Sequence, residues 1–429
     1  MTTLFTNARL IDPQAGTDQI GSLLIKDGQI NKVLTQDVDL AEKKLTAVNF
    51  LDCGGKCLAP GIVDIGVKVC EPGERHKESF RSAGQAAAAG GVTTMVTRPD
   101  TLPAIDTPET LEFVTRRAQE DSPVHIRHMA ALTKGREGRE MVEIGFLQDA
   151  GAVAFTDCDL VVQSTKVLSR ALTYARSLGA LVMAHPQDPG LSQGAAVTSG
   201  KFASLRGLPA VSPMAERMGL QRDLTLVEMT GVRYHADGIT TATALPALRR
   251  AKDAGLDVTA GINIHHLTLN ALDVGDYRTF FKIKPPLRDE DDRLAMVQAV
   301  ADGTIDIISS MHTPQDEESK RLPFEEAASG AVALETLLPA AMRLYHSGMI
   351  DLPTLWRAMS LNPAKRLGLN TGRLTVGAPA DLVLFDPDAP FVLDRFKLRS
   401  KSKNTPFDGQ RMQGKVIATY VAGKQVYGP

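Results

Sequence analysis

The chain has 429 residues, 43% of them hydrophobic and 23% charged, enough apolar material for one large core and a smaller annex, which excludes a disordered chain. A formal net charge of −2 without long runs of like charge excludes an electrostatic pull toward nucleic acid or an anionic membrane. No stretch of about 18 apolar residues occurs, and the opening Met1-Thr-Thr-Leu-Phe-Thr-Asn lacks a basic segment followed by a long apolar run, so a cytoplasmic protein is expected.

Taken in chain order, the segments from Thr3 to Asp12 and from Gly21 to Ile30 set short apolar runs between turn signals and read as β-hairpins. Cys53 and Cys57 bracket a Gly-Gly turn. With Cys70 and Cys158 they are too few for a disulfide scaffold, and no second pair or nearby histidine completes a zinc knuckle, so packed or loop thiols in a reducing compartment are expected. The texture then changes. Short β-rich runs (Ile62-Val-Asp-Ile, Thr93-Thr-Met-Val-Thr, Ala152-Val-Ala-Phe, Ala180 to His185, Val258 to Ile262, Asp306 to Ser310) are spaced by helix-favouring segments such as Phe80 to Ala89 and Leu168 to Leu178. Repeated βα units of this kind indicate a parallel sheet. Roughly 300 residues of it suit a closed barrel, whose chemistry lies at the carboxyl ends of the strands. Ala380 to Pro387 and Lys415 to Tyr427 return to the style of the first sixty residues. The expected class is therefore α/β: a distorted (β/α)₈ barrel over residues 59–369 and a small β-sandwich domain built from residues 1–58 and 370–429.

Pro60-Gly-Ile-Val-Asp-Ile-Gly-Val-Lys-Val-Cys-Glu-Pro-Gly resembles the PGxxDxHxHxREPG signature of the dihydroorotase branch of the amidohydrolases. Further matches follow in family order, among them Gly90-Gly-Val-Thr-Thr, Ala184-His-Pro-Gln-Asp, His265-His-Leu-Thr-Leu, Pro285-Pro-Leu-Arg, His312-Thr-Pro, Gly377-Ala-Pro-Ala-Asp-Leu and Asn404-Thr-Pro-Phe. Each is weak alone; a dozen in order cover nearly the whole chain. The resemblance implies the same barrel and sandwich, and a zinc centre that hydrolyses or closes a cyclic amide.

The residues that should carry that chemistry are altered. Zinc needs about three imidazole or carboxylate ligands at roughly 2 Å and an open position for water. The positions matching the two histidines of the first strand are Gly66 and Lys68; the histidine after the sixth strand falls at Gly238, and the aspartate that serves as ligand and general base falls at Met311. Glycine has no ligand atom, an ammonium repels a cation, and a thioether takes no proton at physiological pH. His185 and Asp157 remain as vestigial ligands. The substrate contacts change too: the family's carboxylate-binding arginine is Cys70, the asparagine of its MPNT run is Asp100, and the asparagine before PPLR is Lys284. Losing a bidentate guanidinium forfeits a contact worth about 1.5 to 3 kcal/mol, and Asp100 is expected to repel an anionic substrate.

No bound zinc and no intact catalytic residue are therefore expected. Two placements are open for Lys68: pairing with Asp157 in the old metal cavity, or reaching solvent at the barrel mouth. His265, His266 and His312 are expected to be structural, and Asp316-Glu-Glu-Ser-Lys-Arg a solvated loop. Because dihydroorotase-like chains without metal ligands assemble with aspartate transcarbamoylase, the resemblance implies a structural partner of that enzyme in pyrimidine synthesis, and a homo-oligomer such as a dimer. The alternatives are an active amidohydrolase with a single metal on His185 and Asp157, or with none, and a ligand-binding sensor built on the old pocket.

Overall fold

A computed structural model describes residues 2–34 and 48–429. The amino-terminal part contributes β1 (Thr2–Asp12), β2 (Thr17–Lys26), β3 (Gln29–Leu34), β4 (Val48–Asp52) and β5 (Cys57–Pro60). Antiparallel β1, β2 and β3 are joined by tight turns, one of them at Asp27-Gly28, where both residues have positive φ. The expected hairpins are present, although β2 starts at Thr17 and its turn comes at Asp27-Gly28, so Ile30 already belongs to β3.

The barrel opens with β6 (Ile62–Val67) and β7 (Val92–Thr97), buried at every position, as strands covered on both faces must be. They continue in parallel to β8 (His125–His128). The fourth position is a single-residue link, Phe155, which bridges Ala130 on one side and Val182 on the other. Beyond it run β9 (Leu181–Ala184), a peripheral pair β10 (Val197–Thr198) and β11 (Ala210–Val211), then β12 (Arg233–Ala236), β13 (Val258–Asn263) and β14 (Ile307–Ser309), the last three paired in parallel after β9. Among the described residues β14 and β6 share no ladder, and the gap is closed by other bonds. Asp64 of β6 accepts from the backbone N–H of Ser310 (2.8 Å) and from its hydroxyl, and the Lys68 N–H donates to the His312 carbonyl (2.8 Å).

Helices cover the outside. Phe80–Ala89 starts at a capping box between Ser79 and Ser82 and buries Phe80, Ala83, Ala86 and Ala87. Thr165–Ser177 begins three residues before its apolar pattern because the Ser164 side chain caps it; Leu168, Ala171, Leu172 and Ala175 form the buried stripe.

The chain then returns as β15 (Leu382–Val392), β16 (Arg411–Val421) and β17 (Lys424–Tyr427). The resulting eight-stranded sheet runs β17-β16-β15-β5-β1-β2-β3, with β4 on β1, around a core that includes Phe5, Leu23, Leu58, Leu382 and Tyr420. The expected α/β barrel with a β domain from both ends is thus the observed fold. Trp356 ties the two parts: its indole N–H donates to the Pro60 carbonyl (2.9 Å) and its ring stacks on Phe385 at 4.7 Å.

Candidate functional site at the barrel mouth

The carboxyl ends of the barrel strands surround a small chamber of about 70 Å³, lined among others by Gly66, Arg98, His185, Asp237, Asn263 and Met311. It opens past Asp159, His185 and Lys284 into a vestibule of about 740 Å³. Small-molecule sites usually need a few hundred Å³, so the chamber alone does not take a substituted six-membered ring.

Met311 crowds the position expected for a metal ligand. A Cβ built on Gly66 would lie 2.6 Å from the Met311 sulfur, so the thioether fills the space above the glycine where a ligand side chain would have to stand. Met311 holds φ +47°, and Cys158, also lining the chamber, φ +58°; strained non-glycine backbone persists where surrounding structure over-determines it. Gly238, with φ +71°, lies under His185: a Cβ there would come 3.2 Å from the imidazole Nδ1. His185 Nδ1 faces the Asp237 carbonyl at 3.4 Å, and burial, with Lys284 nearby, holds the ring neutral with its pKa lowered to about 4.

The remaining expected ligand is misplaced. Asp157 is buried, but its carboxylate accepts from the backbone N–H groups of Leu132 and Thr133 (3.0 Å each) and from the Thr133 hydroxyl (2.5 Å), and it does not line the chamber. Burial raises its pKa against those hydrogen bonds. Among the described residues no three His, Cys, Asp or Glu side chains gather as a metal ion requires. The donor set does not fit the zinc centre that the fold family implies.

Neither placement expected for Lys68 holds. Its ammonium is 3.3 Å from Asp100 and 3.9 Å from Glu74, largely shielded from solvent, because a carboxylate on the adjacent strand end is closer than Asp157. Asp100 is not a bare repulsive charge either. Arg98 grips it with two hydrogen bonds, 2.7 and 3.2 Å, so the guanidinium missing at Cys70 has a counterpart at Arg98, while Cys70 is a buried thiol beside Lys68 and Asp100. Arg98 also lies 3.7 Å from Asp159, which pairs with Lys284 at 3.2 Å and Arg136 at 3.2 Å. Burial disfavours the Asp159 charge, yet these cations hold its pKa well below the usual carboxylate range. Arg98, Asp159 and Asp237 were not singled out from the sequence. The spacing Arg98-Pro-Asp100, a charge pair within one strand end, was the available signal.

Asp237 faces the chamber, and burial raises its pKa to about 6. Asp64 is raised to the same value by burial, in spite of its bonds to Ser310. The other histidines are structural, as expected: His265 bonds Asn263 and stacks on Phe407, His266 bonds the Pro285 carbonyl, and buried His312 accepts from the Ala333 and Leu334 N–H groups beside Glu78. The segment from Asp316 is more than a solvated loop. Asp316 caps a short helix, Glu317–Lys320, and Lys320 is buried, donating to the carbonyls of Thr279 and Lys282, because it closes the loop against its neighbour.

Among the described residues no helix is long and apolar enough to cross a membrane. Residues 55–244 match the family model described as dihydro-orotase-like, and residues 330–427 match one described as amidohydrolase family. A dihydroorotase of Wolbachia sp. subsp. Drosophila simulans (strain wRi) is 39% identical over 427 residues, covering 99% of this chain and 95% of its own length. A dihydroorotase-like protein of Pseudomonas putida is 38% identical over 429 residues, with all of both chains covered. The structure of an L-hydantoinase from Arthrobacter aurescens superposes with a TM-score of 0.88 at 24% identity, covering 99% of this chain and 96% of its own, a likeness of fold. With its barrel, its terminal β domain and these relatives along its full length, the chain belongs to the dihydroorotase family of amidohydrolases.

Proposed function

We propose that this chain is a non-catalytic member of its family, serving pyrimidine synthesis as a structural partner of aspartate transcarbamoylase and binding no zinc. The observation that carries the loss of chemistry is the Met311 thioether packed over Gly66. A thioether is neither a proton acceptor nor a hard ligand, and it occupies the volume that one would need. The scaffold role rests on the resemblance and on a framework kept whole while its site is rebuilt. Elemental analysis of the purified chain, an assay of dihydroorotate hydrolysis, and size-exclusion of the chain mixed with aspartate transcarbamoylase test the reading together. Absence of stoichiometric metal, no turnover and one joint peak are expected; full zinc occupancy with turnover, or two independent peaks, counts against it.

One observation favours a second reading. Asp237 is a chamber-facing carboxylate with a pKa of about 6, beside a neutral imidazole, the profile of a general acid or base. A metal-free hydrolase acting on a small amide would use it. Turnover that survives chelation and vanishes in Asp237→Asn would favour this reading over the first.

A further inference from the structure

A buried cation, Arg98, and a partly buried one, Lys68, converge on one oxygen at the barrel mouth. Arg98 Nη2 lies 2.7 Å and Lys68 Nζ 3.3 Å from Asp100 Oδ2, while Arg98 Nε reaches the other oxygen at 3.2 Å. The side chains of Arg98, Asp100 and Lys68 are 8%, 5% and 17% exposed. Lys68 follows β6 and Arg98 follows β7, and the Arg98 N–H bonds the Val67 carbonyl at 2.9 Å, so both cations stand on rigid strand ends. A forked guanidinium and an ammonium fixed on adjacent strands form the arrangement that captures a carboxylate.

We propose that Lys68 and Arg98 make up an anion subsite whose ligand is supplied by the chain itself, the Asp100 carboxylate, and that this internal occupant bars carboxylate ligands from the barrel mouth. The rest of the wall agrees. Lys284 and Arg136 are both paired with Asp159, His185 is neutral, and Asp237 faces the chamber with no salt bridge among the described residues. Among the described residues the chamber-lining cations, Arg98 and Lys284, each hold a protein carboxylate, so an incoming anion meets there the Asp237 carboxylate and no unpaired cation, while Lys282 in the outer vestibule is tied to the Glu325 carbonyl. The chamber accepts uncharged or cationic ligands that bring N–H donors to Asp237. This inference concerns the ligand class and stands whether or not the chain proves inactive.

The test is chemical rescue in the full-length chain. Asp100→Ala opens a hole of carboxylate size between two cations left without their partner, and its Tm should fall by about 5 °C. Formate or acetate should restore at least half of that loss in a saturable way. Chloride at matched ionic strength and acetamide should not, and wild-type Tm should respond to acetate and chloride alike. If Asp100→Ala does not stay soluble, its refolding yield in acetate against chloride reads the same difference. The proposal is overturned if acetate protects the variant no better than chloride, or if wild type shows saturable protection by acetate.

Discussion

The Met311 sulfur and the Gly66 Cα share one space: a single added methyl group on the glycine would lie 2.6 Å from the sulfur, on backbone already at φ +85°. The two positions are therefore sterically coupled, and a histidine placed at 66 alone would run into the thioether. Gly66→Ala should cost about 2 kcal/mol from backbone strain and overpacking. In Gly66→Ala/Met311→Ala the loss should fall short of the sum of the single losses by about 1 kcal/mol. Urea midpoints of the four proteins check this; strict additivity would show that the two sites do not share volume.

Asp157 is a loop anchor. Replacing it with Ala strands two buried N–H groups and a hydroxyl, costing about 2 to 3 kcal/mol, while Asn keeps one acceptor and loses less. Equal behaviour of the two variants in denaturant titration would refute the anchoring role.

Acid should weaken the fold through its imidazoles. Burial lowers the pKa of His235, His265 and His266 to about 3 and of His128 and His185 to about 4, against about 6.5 in an unfolded chain. The unfolded state binds these protons first, so the stabilisation is complete above about pH 6.5 and is lost as pH falls toward the folded values. Asp64, Asp237 and Asp292, raised to about 6, and Glu335, raised to about 7, act in the opposite sense: their contribution is full below about pH 4 and lost as pH rises through those folded values. At pH 5, His265→Asn should therefore reduce proton uptake on unfolding by about one. The slope of stability against pH measures it, and an unchanged slope would mean that His265 is charged in the folded chain.

Trp356 is the only tryptophan, fully buried where the barrel meets the β domain. Its emission should be blue-shifted and should report the junction. Trp356→Phe, which leaves the Pro60 carbonyl without its donor, should cost about 1 to 2 kcal/mol. If barrel and β domain unfold as one unit, fluorescence and far-ultraviolet circular dichroism follow one transition; separate midpoints would show that the junction yields first.

Much of this was legible beforehand for a local reason. Strands such as Ile62 to Val67, buried on both faces, are mostly apolar, with the single carboxylate Asp64 turned to the seam, and the Ala-rich helices announce themselves by spacing. The strands at His125–His128 and Arg233–Ala236 were not marked as strands, since His, Arg and Tyr interrupt their apolar character and only four residues pair in each. At the site, the donor capacity of each position could be read from the sequence, because a glycine or a thioether has the same donor capacity in any fold. Partnerships could not. Lys68 and Asp100 are separated by a helix and a strand, and the place of Asp157 after a strand points to the cavity, although its oxygens turn to the preceding loop, at Leu132 and Thr133.

The seam between the first and last strands is sewn with the chain's own groups: Asp64 to Ser310, and the Lys68 amide to the His312 carbonyl. A cylinder joined in this way carries its own clasp, one carboxylate and one amide, across the gap between its outermost staves. Substitutions along its rim can therefore leave its staves in place.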